Sequence, residues 1–259
     1  MAPSTFPAVL AEQLRRDPSR PVVTFYDDAT DERVELSVVT YANWVAKTAG
    51  LLQDELELER GGTVLVDLPT HWLAPVWLGA AWSLGLAVTA TEDDTADRTA
   101  DRTAVDLVVC GPAGLERHAG TGAPVVALSL LSMGARFADP LPEGVLDYGV
   151  VVWGQPDSFL PLDPPKGDDV AWQSGSGTAT QAELLEAAGA AATSSPGTRL
   201  LTDAEPCSRT GVEHLLGPLL GGGGTVWVAH PDPGRWDHHA ESEQTTIRLR
   251  RREAQPPRS

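Results

Sequence analysis

The sequence predicts an α/β fold of layered, mostly parallel sheets with flanking helices, and three observations carry that expectation. Short, near-continuous apolar runs at residues 64–68, 86–89 and 105–110 alternate with helical stripes, as in strands covered on both faces by crossover helices. Glycine and proline punctuate the joins, at Gly61-Gly62, Pro69 and Gly85. The chain of 259 residues, 42% apolar and with eight Trp, is also long and apolar enough for a large core.

Taken in order, Phe6, Val9, Leu10 and Leu14 recur at helical spacing, and Asp17-Pro18 with Pro21 closes that first helix. Residues 22–26 read as a strand, 27–33 as a polar turn, and Val34-Glu35-Leu36 as its antiparallel return. Tyr41, Trp44, Val45, Thr48, Leu51 and Leu52 mark one face of a long helix capped by Ser37 or Thr40. A strand at 64–68 leads to a mostly buried helix over 72–84, ended by Gly85, and a further strand at 86–89. Residues 105–110 and 125–130 read as two more strands, joined by a Gly/Pro-containing loop rather than a helix. Pro140, Pro142, Pro156, Pro161, Pro164 and Pro165 then mark a surface linker, with an apolar piece at 149–153 packed onto the body. The expected organisation is an N-terminal α/β lobe (1–139), a Pro-rich linker (140–169), a second α/β lobe (170–233) and a disordered basic tail (234–259).

The second lobe opens with VAWQSGSGTATQAELL, residues 170–185: an apolar run, a small-residue loop and a helix start. In that order, backbone N–H groups and a helix N-terminus converge on an anion, although an ordinary strand-to-helix turn has the same order. Thr180 and Glu183 form a Thr-x-x-Glu capping box, so the helix is expected from Gln181 to Ala192. Any phosphate contacts would come from the backbone and hydroxyls of Ser174, Gly175, Ser176, Gly177, Thr178 and Thr180. The loop lacks the Gly-Lys-Ser/Thr ending of a Walker-type loop, the third glycine of a dinucleotide fingerprint and a Gly-x-Ser-x-Gly elbow. Residues 199–202 read as a strand. Val212, Leu215, Leu216, Leu219 and Leu220 make a helical stripe that Gly217-Pro218 should kink. The four glycines at 221–224 follow a helix and precede a strand at 225–229, the wrong order for a phosphate loop.

Charge and composition exclude several classes. A formal net charge of -17 argues against nucleic acid, whose binding needs clustered cations. Residues 248–259 run the other way, with five Arg against one Glu. The uncharged stretch 68–91 is long enough to span a bilayer, but Pro75, Gly79 and Gly85 interrupt it and acidic residues flank it, so no membrane span is expected. The first residues lack a secretory n-region, and Cys110 and Cys207 form neither a CxxC pair nor a disulfide framework, which fits a cytoplasmic protein. Cys207 with His214 could be drawn as nucleophile and base, but the surrounding signature is missing. Asp93, Asp94, Asp97 and Asp101 lack ligand-loop spacing, and the adjacent His238 and His239 cannot share a helix face, so no metal site is assigned.

Several stretches resemble a known family. YANW leading the long helix, ERGGTVLVDLP and LGAAWSLGLAV resemble the N-terminal part of AMP-binding, adenylate-forming enzymes such as acyl-CoA synthetases. VAWQSGSGTATQAEL lies where that family has its Ser-Gly-Thr-Thr-Gly-x-Pro-Lys-Gly phosphate loop. GVEHLLGPLLGGGGTVWV lies where it has a Gly-x-x-x-Leu-x-Pro-Leu helix before a glycine and a strand. The resemblance runs to about Pro233 and is especially to a short actinobacterial family related to these enzymes. It implies the first half of an adenylate-forming large domain, with ATP or AMP and Mg as the cofactors such a loop would serve; no cofactor is assigned with certainty.

The departures set the functional expectation. In one ungapped register the family's phosphate-loop lysine falls on Gln181, in the other on Glu183, so the cation is gone either way. The family's His/aromatic segment falls near Ser208-Arg209, which has neither. The sequence ends before the adenine-binding strand, the Tyr-Gly-x-Thr-Glu segment, the ribose-binding Asp and the lid lysine. The expected reading is therefore a catalytically degenerate protein that binds a nucleotide, an acyl ligand or a partner, with no catalytic residue assigned. A truncated domain should leave a sheet edge or apolar face open, hence an expected homo-oligomer or protein partner. The alternatives are an acyl- or aryl-acid activating ligase completed by another subunit, and a folded remnant without ligand.

Overall fold

The computed structural model describes residues 3–90, 105–120, 122–175 and 177–251. Helix α1 (Phe6–Arg16) leads into the hairpin β1 (Pro21–Asp27) and β2 (Glu32–Ser37), then α2 (Val38–Gly50), which continues through a π turn at Leu51–Glu55. The Ser37 hydroxyl caps α2 by accepting from Thr40 N. β3 (Thr63–Asp67), α3 (Leu73–Leu84) and β4 (Ala87–Ala90) form a right-order crossover unit, with Gly85 left-handed at the end of α3. β5 (Leu107–Cys110), the short α4 (Leu115–His118) and β6 (Val125–Ala127) follow. Next come β7 (Val145–Asp147), α5 (Tyr148–Val151), β8 (Val170–Ser174), β9 (Gly177–Thr180) and α6 (Gln181–Ala190). The described chain closes with β10 (Arg199–Thr202), α7 (Arg209–Gly221), β11 (Gly224–Ala229), α8 (Trp236–Ser242) and β12 (Ile247–Leu249).

These strands form two sheets, ordered β12-β10-β11-β1-β2 and β7-β6-β5-β3-β4-β8-β9. All pairings are parallel except the β1–β2 and β8–β9 hairpins. The fold is thus the predicted layered α/β arrangement. The core lies between the sheets, centred on α3, every residue of which is buried. Gly79 lets neighbouring side chains reach that helix: a Cβ there would lie 2.6 Å from the Tyr41 hydroxyl, which donates to Pro75 O at 2.9 Å. Pro218 inside α7 removes the N–H that would serve His214 O, and the Thr225 hydroxyl donates to that carbonyl instead, at 2.5 Å.

Three expectations need correction. The stretch 140–169 is no plain linker, because β7 extends the larger sheet and Tyr148 and Val152 are buried beside it. Strands from both sides of that stretch share both sheets, through β1 with β11 and β4 with β8. The boundary expected there therefore separates neither sheet. The segment after Pro233 is not a disordered tail through residue 251. Trp236 and Ala240 of α8 pack on Leu201, Val226 and Val228, and β12 pairs in parallel with β10. Residues 252–259 and the stretch 91–104, with Asp93, Asp94, Asp97 and Asp101, lie outside the described residues. A single helical turn at Pro112–Gly114 runs into α4 between β5 and β6, where a loop was expected.

Candidate functional site

The small-residue loop is a tight hairpin rather than an open cradle. β8 and β9 pair antiparallel up to Ser174 and Gly177. Gly177 has φ +131°, a conformation that side-chain-bearing residues rarely adopt. Gly175, Gly177 and Thr178 are exposed and Ser174 is half-buried; Ser176 lies outside the described residues. The hairpin feeds directly into α6, so Ser174, Gly175, Gly177 and Thr178 lie along it and Thr180 stands at the helix start.

The helix start itself is already filled. The Thr180 hydroxyl accepts from Glu183 N at 3.2 Å, while the Glu183 carboxylate accepts from Thr180 N at 2.8 Å and from its hydroxyl at 3.0 Å. The capping box is complete, and its negative charge sits where an external anion would seek the helix dipole. Those same bonds, the Thr180 N–H first, hold the Glu183 carboxyl below its ordinary range.

Gln181 is a structural clamp. It is 2% exposed; its carbonyl oxygen accepts from Phe6 N at 2.9 Å, and its amide donates to Trp82 O at 2.8 Å. One side chain thereby ties the starts of α1 and α6 to the end of α3. Behind it lies a cavity of about 10 Å³, lined chiefly by Phe6, Trp82, Leu184 and Leu185, with room for one water at most. Both positions on which the family's lysine falls are therefore engaged, Gln181 in the core and the exposed Glu183 in the helix cap.

The other candidates are also structural. His214 Nδ1 bonds the Thr202 hydroxyl at 3.0 Å, and burial raises the Cys207 thiol far above its ordinary value, so that pair offers no thiolate. Cys110 and Cys207 are free and buried. Among the described residues no group of three or more His, Cys, Asp or Glu could hold a metal, and no helix is long and apolar enough to cross a membrane.

Two features escaped the sequence. Asp67, at the carboxyl end of β3 where open α/β sheets commonly present ligands, accepts from Arg117 at 2.6 Å and bonds His118 Nε2 at 2.7 Å. His71, 4% exposed, accepts from Leu73 N at 3.2 Å through Nδ1, and burial lowers it to about 4. Its Nε2 has no hydrogen-bond partner among the described residues. Neither feature has a sequence signature, since Asp67 meets residues of α4 only in the fold and no pattern announces the burial of a lone His71.

With this geometry established, comparison with known proteins gives a consistent picture. No family model matches the chain. A "TIGR03089 family protein" of Mycobacterium tuberculosis is 37% identical over 247 residues, which cover 92% of this chain and 95% of that protein. Among solved structures, the fold matches an acyl-CoA synthetase of Brucella canis (TM-score 0.73, 20% identity) over 93% of this chain and 47% of that one. It also matches an acetoacetyl-CoA synthetase of Streptomyces lividans (TM-score 0.76, 19% identity) over 95% of this chain and 42% of that one. A fatty acyl CoA synthetase of Mycobacterium tuberculosis matches at TM-score 0.69 and 14% identity, over 95% and 49% respectively. The chain spans less than half the length of each of these synthetases.

Proposed function

The chain belongs to the TIGR03089 family and carries an acyl-CoA synthetase-like fold, and on that premise we propose that it is a catalytically degenerate binding module of adenylate-forming ancestry. One observation carries the reading: Gln181 is consumed as a buried clamp and Glu183 as a helix cap, so neither register leaves a cation for a polyphosphate. A carboxylate at that helix start repels the charge the family's loop would bind. Among the described residues, what remains at the hairpin tip is exposed backbone and the Thr178 hydroxyl, adequate for a weakly held nucleotide or acyl ligand and inadequate for adenylation.

The test has two arms. Exchange of labelled pyrophosphate into ATP, run with the chain alone over a panel of carboxylic acids, should be silent; acid-dependent exchange would overturn the degenerate reading. Thermal unfolding with ATP, AMP and acyl-CoA then asks whether a ligand is retained, since a binder at a hundredfold excess over its Kd raises the midpoint by about 5 °C. A shift abolished by Thr178→Glu assigns binding to the hairpin. Silence with all three ligands moves the binding role to a protein partner or second copy, and a strictly monomeric particle at high concentration in scattering would remove the second copy.

A further inference from the structure

We propose that a groove in the smaller sheet, apart from the hairpin of the larger one, is a binding site for a small phosphate-class oxyanion. The groove has a volume of about 400 Å³ and lies where β1, β10 and β11 begin, closed on one side by the end of α8. Arg20, Arg33 and Arg199 line it, together with Glu35 and Glu243. Three guanidinium groups against two carboxylates leave it net positive in a chain of formal charge -17.

Each guanidinium is held by part of its donor set. Arg20 donates through Nε to Gly223 O at 3.2 Å and through Nη2 to Gln13 Oε1 at 3.1 Å, and it makes no ion pair among the described residues. Arg33 donates through Nε to the Tyr26 hydroxyl at 2.9 Å and to Glu243 at 3.1 Å; its Nη2 reaches Glu35 at 2.6 Å and Glu243 at 2.8 Å. Arg199 donates through Nη2 to the Thr24 hydroxyl and to Glu243, both at 2.6 Å, and through Nη1 to Pro21 O at 3.4 Å. Arg20 Nη1, Arg33 Nη1 and Arg199 Nε thus keep no protein partner among the described residues.

Glu243 is the strut of this arrangement. Its side chain is 7% exposed, and it gathers Tyr26, Arg33 and Arg199. Those bonds hold its carboxyl below the ordinary range against the opposing effect of burial. The structural work of the arginines, tying α8 to the hairpin and serving Gly223 beyond the end of α7, accounts for the bonded nitrogens. It does not account for three guanidinium groups, each with a nitrogen unpartnered among the described residues, lining one groove of ligand size. A tetrahedral phosphate can meet three separately placed guanidinium groups, whereas a planar carboxylate offers only two oxygens in one plane.

The experiment is thermal unfolding of the full chain, titrated with inorganic phosphate, pyrophosphate and glycerol phosphate, with sodium chloride holding ionic strength constant. A saturable rise approaching about 5 °C at a hundredfold excess over Kd is expected for at least one of them. The ester arm distinguishes a phosphomonoester from a free anion. Arg20→Gln should weaken the response about tenfold, the loss of one charge-assisted contact. Glu35→Gln, which removes the rim carboxylate, should strengthen it about threefold. Thr178→Glu should leave it unchanged, which keeps this groove distinct from the hairpin site. No rise beyond the chloride control, a rise untouched by Arg20→Gln, or a Glu35→Gln protein that binds no tighter would each overturn the proposal. The Glu35 arm stands even if Arg20→Gln fails to fold.

Discussion

Two glycine-rich turns in this molecule make opposite use of the same residue. At the start of α6 the order strand, small-residue turn, helix is right for an anion, yet a carboxylate from the helix's own first turn occupies the cap. At the end of α7 the order is reversed, yet the glycines open onto arginines. The difference teaches that element order decides where backbone donors point, whereas side-chain charge decides what they can hold. It also shows in what each turn needs its glycines for. Gly177 is required by its φ of +131°, with nothing within 4 Å of where a Cβ would stand. Gly223 is required by space, because a Cβ there would lie 1.8 Å from Thr198 O.

The largest expected effect therefore falls on the reversed turn. Gly223→Ala forces backbone apart where β10 and β11 begin, and should cost about 3 kcal/mol in urea unfolding with an unchanged m value. Gly177→Ala meets only backbone strain and should cost about 1–2 kcal/mol. A loss at Gly177 that matched or exceeded the loss at Gly223 would break the comparison.

Next comes the clamp. Gln181→Leu leaves Phe6 N without a partner in a buried setting and takes one of two donors from Trp82 O, which keeps Gly85 N, at a cost of about 2–3 kcal/mol. Gln181→Lys, which restores the family's cation in one register, should cost at least as much and gain no ATP response, because the side chain faces the core rather than the hairpin tip. A stable Gln181→Lys protein with a new ATP-dependent shift would show that only the lysine was missing.

These positions also show what a sequence can disclose. The helical stripes, the β1–β2 hairpin and the Thr180–Glu183 capping box were legible because each depends on residues a few places apart. The parallel pairing of β1 with β11 was not, since strand periodicity carries no partner information across such a separation. The segment after Pro233 reads as polar because α8 needs few apolar anchors; much of its seating is polar, through a hydrogen bond between His239 Nε2 and Asp28 at 2.7 Å and the pairing of Arg235 with Asp31 at 2.6 Å. Gln181 is a polar residue whose burial no pattern announces. The groove's arginines at 20, 33 and 199 converge only when the smaller sheet is assembled.

The smallest expected effects concern the cap and bear most directly on why the first turn is closed. Thr180→Ala removes the hydroxyl that accepts from Glu183 N and should cost about 1 kcal/mol. Glu183→Gln keeps the shape and removes the charge, so its signature is a dependence on pH. The folded protein holds the Glu183 carboxyl below its ordinary value, so the unfolded chain binds the proton more readily. The stabilisation is fully present above the unfolded value and is lost as pH falls through the folded one. Wild type should therefore exceed Glu183→Gln in stability at neutral pH, and the two should converge on acidification. Urea midpoints across that range measure it. A gap independent of pH would mean that the carboxylate's charge is irrelevant to the cap.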